Sequence, residues 1–341
     1  MTRRALVVTR PHEIAVLQRP ALVPGPGEVL ARPAFVGMCG TDVELLEGAV
    51  DPDFVAYPLT LGHEWSGVVE AVGPDVSTVA PGDAVVAEGI IPCGQCEPCR
   101  RGATNVCETY DELGFTREGA ASDQLLVPAR LVHRLGEGVP LLDGALVEPA
   151  SVVLQALQKV GVQPGDRVLV LGDGTIALLA VQLAALWSPA AIAVLGRRPE
   201  QRELALGAGA TTFDTTADPS AYAGAFDVVV EAAGAPEAIR TAVRSARRGG
   251  RVALLGYAGA GVDVGLPVDD LVNDDLTIVT SFGYTAAAWH RVVALVNARA
   301  IRPSALVTHR FGLDDFADAF AALRGAEGPR GKVVLELGEA T

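Results

Sequence analysis

Four cysteines, Cys93, Cys96, Cys99 and Cys107, fall within fifteen residues at spacings of two, two and seven. Spacings this short let one loop wrap a single ion, and closed structural zinc sites hold the metal tetrahedrally by sulfur at about 2.3 Å. Gly94 and Gly102 permit the tight turns that such wrapping needs. Free or disulfide-paired thiols are the alternative, but cysteines this close rarely reach disulfide geometry and nothing marks the chain as secreted. A nucleic-acid zinc ribbon is the other functional reading, and the segment E-P-C-R-R-G in an acidic chain offers it no broad basic face. Residues 92–108 are therefore read as a structural zinc lobe.

The fifth cysteine, Cys39, stands alone in G-M-C-G-T-D, and a G-H-E triplet (Gly62, His63, Glu64) follows 23 residues later. A catalytic zinc takes about three protein ligands and keeps one position open. Gly37 and Gly40 flank Cys39 and let the backbone crowd around an ion. Taken singly, His63 reads as an ordinary histidine and Cys39 as a small buried hydrophobe; together, ahead of a nucleotide-binding pattern, they read as metal ligands. Glu148, in L-V-E-P-A-S, is unusual as a solvated residue and is the candidate third ligand, directly or through water. Thr41 places a hydroxyl near the same ion. Such a zinc lowers the pKa of a bound hydroxyl. Thr41 would accept that proton, and the carbon-bound hydrogen would leave as hydride to a nicotinamide.

Residues 168–177 read V-L-V-L-G-D-G-T-I-A: a buried strand, then Gly172 and Gly174, with Thr175 and Ile176 opening an apolar helix. In that context a G-x-G-x-x-A pattern points to a pyrophosphate site at a helix N-terminus rather than to an ordinary tight turn. NAD sites place an acidic residue about 20 residues further on, against the ribose. Here that place holds Gly196, Arg197 and Arg198. Guanidinium donors without a carboxylate suit a 2′-phosphate, so NADP is expected to be preferred over NAD. The alternative is that both arginines lie in solvent and either cofactor serves.

The elements that must position these groups follow two patterns. Up to about residue 150, short β-like runs are split by Gly and Pro, as at Pro24-Gly25, Pro26-Gly27 and Pro81-Gly82. Beyond Glu148 strands and helices alternate: R-V-L-V-L-G, A-I-A-V-L, D-V-V-V-E-A, R-V-A-L-L-G and L-T-I-V-T-S-F are strands, and residues 152–162, 289–299 and 314–324 are helices. Alternation of this kind predicts an α/β fold with a doubly wound parallel sheet. A chain of 341 residues suits two domains. Its net charge of −14 and pI near 4.8 argue against nucleic-acid or anionic-membrane partners. No apolar run approaches the roughly 18 residues that span a bilayer, and M-T-R-R-A-L-V-V-T lacks a leader-like apolar core. A cytoplasmic, reducing location is expected.

Taken together, G-M-C-G-T-D, G-H-E-W-S-G-V-V-E-A-V-G, P-G-D-A-V-V, the four cysteines, V-E-P-A-S-V and G-K-V-V-L resemble the zinc-containing medium-chain dehydrogenase/reductases, the alcohol and polyol dehydrogenase family. The resemblance covers essentially the whole chain. It implies a mostly-β, GroES-like catalytic domain with a zinc lobe (1–151), a Rossmann NAD(P)-binding domain (152–288), and a return to the catalytic domain (289–341). It implies two zincs per subunit: a catalytic one at Cys39, His63, Glu64 and Glu148, with Glu64 bound to or exchanging near the ion, and a structural one at the four lobe cysteines. Glutamate at the third ligand position is similar to the sorbitol, threonine, glucose and aminocyclitol branch. Gly196-Arg197-Arg198-Pro199 is similar to the loop of NADP-linked secondary alcohol dehydrogenases, and E-L-G-F-T-R-E-G-A (112–120) to 2-deoxy-scyllo-inosamine dehydrogenases.

Many relatives carry a histidine three residues after the threonine. This chain has Glu44 there, leaving Glu44, water or the cofactor ribose as the exit for the proton. The expected substrate is a secondary alcohol or ketone, in particular a polyol, sugar or aminocyclitol hydroxyl, with L-threonine or a simple secondary alcohol as the alternative. The competing readings are a zinc-free quinone or enoyl reductase and an inactive nucleotide-binding protein; the intact cysteines and glycines oppose both. The apolar strand at 276–282 is expected to pair subunits into a homodimer or homotetramer.

Overall fold

Short alternating runs broken by Gly and Pro build the first part of the chain as strands. β1 (Thr2–Arg10) and β2 (Glu13–Pro20) form a hairpin, and β3 (Glu28–Met38) ends one residue before Cys39. Helix α1 (Gly40–Glu47) starts immediately after it. β4 (Leu59–Thr60), β5 (Glu64–Val72) and β6 (Ala84–Ala87) follow. β7 (Ile90–Ile91) and β8 (Asp111–Glu112) pair antiparallel and bracket the cysteine loop, which carries the single turn α2 (Glu97–Arg100). β9 (Leu125–Pro128), β10 (Val132–Arg134) and the turn α3 (Leu141–Gly144) complete this part.

Regular alternation begins at α4 (Val147–Val160). It continues through β11 (Arg167–Leu171), α5 (Thr175–Ala184), β12 (Ala191–Leu195), α6 (Arg202–Ala208) and β13 (Thr212–Asp214). β14 (Phe226–Glu231), α7 (Pro236–Ser245), β15 (Ala246–Leu254), α8 (Val268–Asn273) and β16 (Thr277–Thr280) come next. The chain then runs through α9 (Ala286–Asn297), β17 (Val307–Gly312), α10 (Phe316–Arg324) and β18 (Lys332–Glu336).

The computed structural model describes residues 2–215, 219–325 and 328–338. It contains two units, one of Met1–Glu148, Thr285–Ala326 and Lys332–Thr341, the other of Pro149–Tyr284 and Glu327–Gly331. In the first, a mixed sheet runs β10-β6-β5-β3-β18-β17, with β9 also paired to β3, beside a small sheet β2-β1-β4. Its core packs Leu6, Val36, Trp65, Val85, Leu125 and Val333, all almost wholly buried. In the second, a parallel sheet runs β13-β12-β11-β14-β15-β16. Renumbered from its first strand this is 3-2-1-4-5-6, the order of dinucleotide-binding sheets. The strand at 276–282 is β16, at one edge. Among the described residues no helix is long and apolar enough to cross a membrane.

Two helices begin earlier than the sequence suggests. α4 starts at Val147, not 152, because Pro149 sits in the first turn, where a missing N–H costs nothing. Glu148 therefore lies on a helix and not in a loop. α9 starts at Ala286, not 289, because Thr285 caps it: its side chain accepts from Ala288 N at 3.3 Å.

Candidate active site and cofactor loop

Cys39 is the N-cap of α1. Its Sγ accepts from Thr41 N at 3.3 Å, and Asp42 Oδ2 accepts from Cys39 N at 2.8 Å, which closes a capping box. Thr41 Oγ1 also lies 3.3 Å from Cys39 Sγ, so the hydroxyl stays beside the sulfur. Across from Cys39, Gly62 holds φ at +103°, and a Cβ there would approach Val36 Cγ1 to 2.8 Å and Ala121 N to 2.9 Å. Only glycine fits this bend, which turns the chain into β5 with His63 and Glu64 both buried at its start.

One donor atom from each of Cys39, His63 and Glu64 lies within 4.8 Å of the others. Glu148 does not join that trio at this distance, but its charge is felt by His63. Two residues not singled out in the sequence complete the cluster. Asp42 is buried, and its Oδ1 faces His63 Nδ1 at 3.9 Å, both atoms without a hydrogen-bond partner. Lys332, on β18, is also buried and donates to Glu64 Oε1 at 2.6 Å. Gly37 makes that pair possible: a Cβ there would sit 2.3 Å from Glu64 Oε2 and 2.8 Å from Lys332 Cε.

The electrostatics describe a pocket rich in anionic groups. Burial pushes Glu148 up to about 8, with Glu64 adding to the effect, and pushes Glu112 up to about 7. Asp42 is raised too, by burial, against the pull of His63. His63 moves well above its ordinary value: burial opposes its charge, but a hydrogen bond with Cys39 and the charges of Cys39, Asp42 and Glu148 outweigh it. Lys332 behaves alike, burial being overcome by Glu64, Cys39 and Glu148. A divalent cation among one thiolate, one imidazole and these carboxylates would stabilise their ionised forms. The unpartnered His63 Nδ1 and Asp42 Oδ1 fit the carboxylate that orients a metal-bound histidine. The donor set therefore fits zinc.

The cysteine loop fits a second ion. Cys93, Cys96, Cys99 and Cys107 bring one sulfur each within 4.8 Å of the others, and all five cysteines are free thiols. Cys96 Sγ and Cys107 Sγ are 3.8 Å apart, the edge expected of about 3.8 Å for a tetrahedron with 2.3 Å zinc–sulfur bonds. Cys93 Sγ accepts from Gln95 N and Cys96 N at 3.5 and 3.4 Å, and these bonds hold its thiol down to about 6. Cys107 Sγ accepts from Cys93 N at 3.3 Å. Burial and neighbouring sulfurs push Cys99 up to about 12, the response of crowded sulfurs sharing negative charge. Gly94 and Gly102 take φ of +75° and +84°, so the loop uses both in the left-handed region.

In the other unit, β11 ends at Leu171 and Gly172 turns the chain at φ +118°. Gly174 caps α5, with nothing within 4 Å of where a Cβ would stand, so its face is open to a ligand. The N–H groups of Thr175 and Ile176 begin the helix there. The Thr175 hydroxyl is already used, donating to Gly331 O at 3.2 Å. Asp173, between the glycines, accepts from Arg197 N and Arg198 N, each at 2.9 Å. It also pairs with the Arg198 guanidinium, Nη2 to Oδ1 at 2.9 Å. Gly196 leaves room for this, since a Cβ there would come within 2.9 Å of Asp173 Cβ. Arg330, which sequence order hides, lies close enough for Arg197 and Arg198 to depress its pKa together with burial. Its backbone is tied to Gln201 by two bonds, at 2.7 and 2.8 Å.

Comparison with known proteins agrees with this architecture. Residues 25–137 match the alcohol dehydrogenase GroES-like domain, and residues 143–337 match the glucose dehydrogenase C-terminus. D-xylulose reductase A of Aspergillus niger is 28% identical over 335 residues, covering 93% of this chain and 92% of the relative. A structure from Sinorhizobium meliloti, described as a zinc-binding dehydrogenase bound to NADP, is 30% identical with a TM-score of 0.92, covering 98% of this chain and 99% of that one. Galactitol-1-phosphate dehydrogenase from Escherichia coli is 28% identical with a TM-score of 0.88, over 98% and 99% of the two chains.

Proposed function

Because this chain belongs to the zinc-containing medium-chain alcohol and polyol dehydrogenases, we propose that it moves a hydride between NADP and a secondary hydroxyl of a polyol, sugar or aminocyclitol. The observation that carries the reading is the close trio of half-buried Cys39 with buried His63 and Glu64, set beside the Thr41 hydroxyl.

Cys39 and His63, with Glu64 or Glu148 as the carboxylate, would hold a zinc ion, which would supply Lewis acidity to the substrate oxygen. Thr41 Oγ1 would relay the proton released from the substrate hydroxyl, taking it up as it passes its own hydroxyl hydrogen on towards solvent. Asp42 orients the His63 ring. Lys332 pairs with Glu64 through a buried ammonium, so this carboxylate already has a cationic partner and Glu148 is the second carboxylate that would serve a metal. Glu44 is exposed on α1, so a proton that reaches it would pass to solvent. The four lobe cysteines would hold a second, structural zinc.

The NADP preference rests on Arg197 and Arg330. Arg198 pairs with Asp173, and Arg197 and Arg330, which lie near it, carry the further guanidiniums that would meet a 2′-phosphate at the end of β12. The relatives support a polyol or sugar-alcohol substrate: one is named for D-xylulose and one for galactitol 1-phosphate. Subunit pairing along β16 and a reducing, cytoplasmic location complete the reading. Exposed Val268 and Val272 on α8, at 64% and 73%, lie just ahead of that edge strand and support the pairing.

The test is a screen of polyols, sugars, aminocyclitols and short secondary alcohols for reduction of NADP. Cys39→Ser serves as the control, and circular dichroism reports its fold. Turnover with at least one substrate class, reduced by orders of magnitude in a folded Cys39→Ser variant, supports the function. A Cys39→Ser enzyme with undiminished turnover overturns it.

A further inference from the structure

A third group of metal-type side chains lies in the first unit, apart from both sets of residues above. Glu88, one residue beyond β6, and His133, in the middle of β10, face each other across paired strands. His133 Nε2 lies 3.0 Å from Glu88 Oε1, and the two side chains are only 10% and 4% exposed. His290, in the first turns of α9, closes the group from outside. Its ring meets that of His133 edge-on, with centroids 4.5 Å apart. One donor atom from each of Glu88, His133 and His290 lies within 4.8 Å of the others.

The geometry points to a divalent-cation site here, selective for zinc-like ions, that clips the start of α9 to the β6–β10 edge. Two imidazoles and one carboxylate form a three-ligand set that binds zinc and leaves a fourth position for water. His290 Nδ1 lies 2.9 Å from Ala286 O, so Nδ1 carries the proton and Nε2 presents its lone pair. A backbone carbonyl fixing the tautomer in this way is the usual support of a metal-bound histidine. At His133 the ion takes the place of the proton shared with Glu88, and the 3.0 Å separation is near the ligand–ligand distance of about 3.4 Å in a tetrahedral site. His290 is exposed, which gives the ion a route in from solvent. Further along, α9 is already tied to the same strand end: Asn297 Oδ1 accepts from Gly136 N at 2.8 Å, and Arg299 donates to Gly138 O at 2.9 Å. The ion would fasten the opposite end of the helix, joining segments 157 residues apart in sequence.

The test compares wild type, His290→Ala and Glu88→Gln, each purified with its resident metals and dialysed against a series of buffered free Zn2+ concentrations. Zinc per subunit is then counted by mass spectrometry. His290 is exposed and Glu88→Gln is isosteric, so both variants keep the fold. The expected result is about one more zinc per subunit in wild type, with affinity weakened at least about 10-fold in either variant. Thermal stability should rise with added Zn2+ in wild type only, and alcohol oxidation should be alike in wild type and His290→Ala. Equal zinc content in all three proteins across the series, or an extra zinc bound by either variant with wild-type affinity, overturns the site. None of these outcomes bears on the Cys39 chemistry.

Discussion

Lys332 Nζ and Glu64 Oε1 are 2.6 Å apart, both buried, and 268 residues distant in sequence. The pair joins β18 to the first residue of β5 and fixes one of the carboxylates beside Cys39. A buried pair of this kind contributes little net stability, but removing one partner leaves a charge that nothing offsets.

Lys332→Met should therefore lower unfolding free energy in urea by about 3–5 kcal/mol. Adding Glu64→Gln should restore most of the loss. The pKa of Lys332 is raised above 10.5 in the folded state, so its stabilisation is complete below the unfolded value. It fades only as pH climbs through the higher folded value. The deficit of Lys332→Met relative to wild type should then be constant through neutral pH and narrow at strongly alkaline pH. A variant as stable as wild type at pH 7 would show that the pair carries no structural weight.

Gly37→Ala tests the same contact from the backbone side. A methyl group 2.3 Å from Glu64 Oε2 must displace the carboxylate or the strand, at a cost of about 1–3 kcal/mol. Since Gly37 and Lys332 act on one carboxylate, their effects should be non-additive in a double-mutant cycle. Simple additivity would place the strain elsewhere.

Most strands and the glycine loop are legible in the sequence, because Val, Leu and Ile runs cut by Gly and Pro leave little ambiguity. The lobe is legible because its four cysteines are neighbours in the chain. Lys332, Arg330 and the Glu88–His133–His290 group are not. Each meets its partners through sheet pairing or a long return of the chain, and no local spacing encodes that. Asp42 was visible within G-M-C-G-T-D, but its task depends on the burial that α1 imposes. The start of α4 at Val147 is not legible in the sequence, because Pro149 is unfavourable inside a helix yet compatible with its first turn.

Cys99→Ser should separate the lobe from the chemistry. Bound zinc should fall by about one per subunit, and melting temperature should drop, since structural zinc is worth on the order of 10 kcal/mol in small peptides. Turnover per folded subunit should survive far better than in Cys39→Ser. Loss of zinc with unchanged melting temperature would remove the structural role.

For the cofactor, Arg197→Ala and Arg330→Ala should each reduce kcat/KM for NADP by about 10- to 100-fold, the worth of one charged hydrogen bond of about 1.5–3 kcal/mol. Activity with NAD should change little. Equal losses with both cofactors would mean that these arginines do not read the 2′-phosphate.

The position of β18 has a consequence for biosynthesis. This strand lies between β3 and β17, yet the ribosome makes it only after the whole parallel-sheet unit has emerged. Until then residues 35–38 of β3 lack their partner strand, an invitation to intermolecular pairing, and Glu64 has no ammonium to meet. Truncation ahead of residue 332 should therefore yield a nascent chain that draws in chaperones and not a smaller working enzyme.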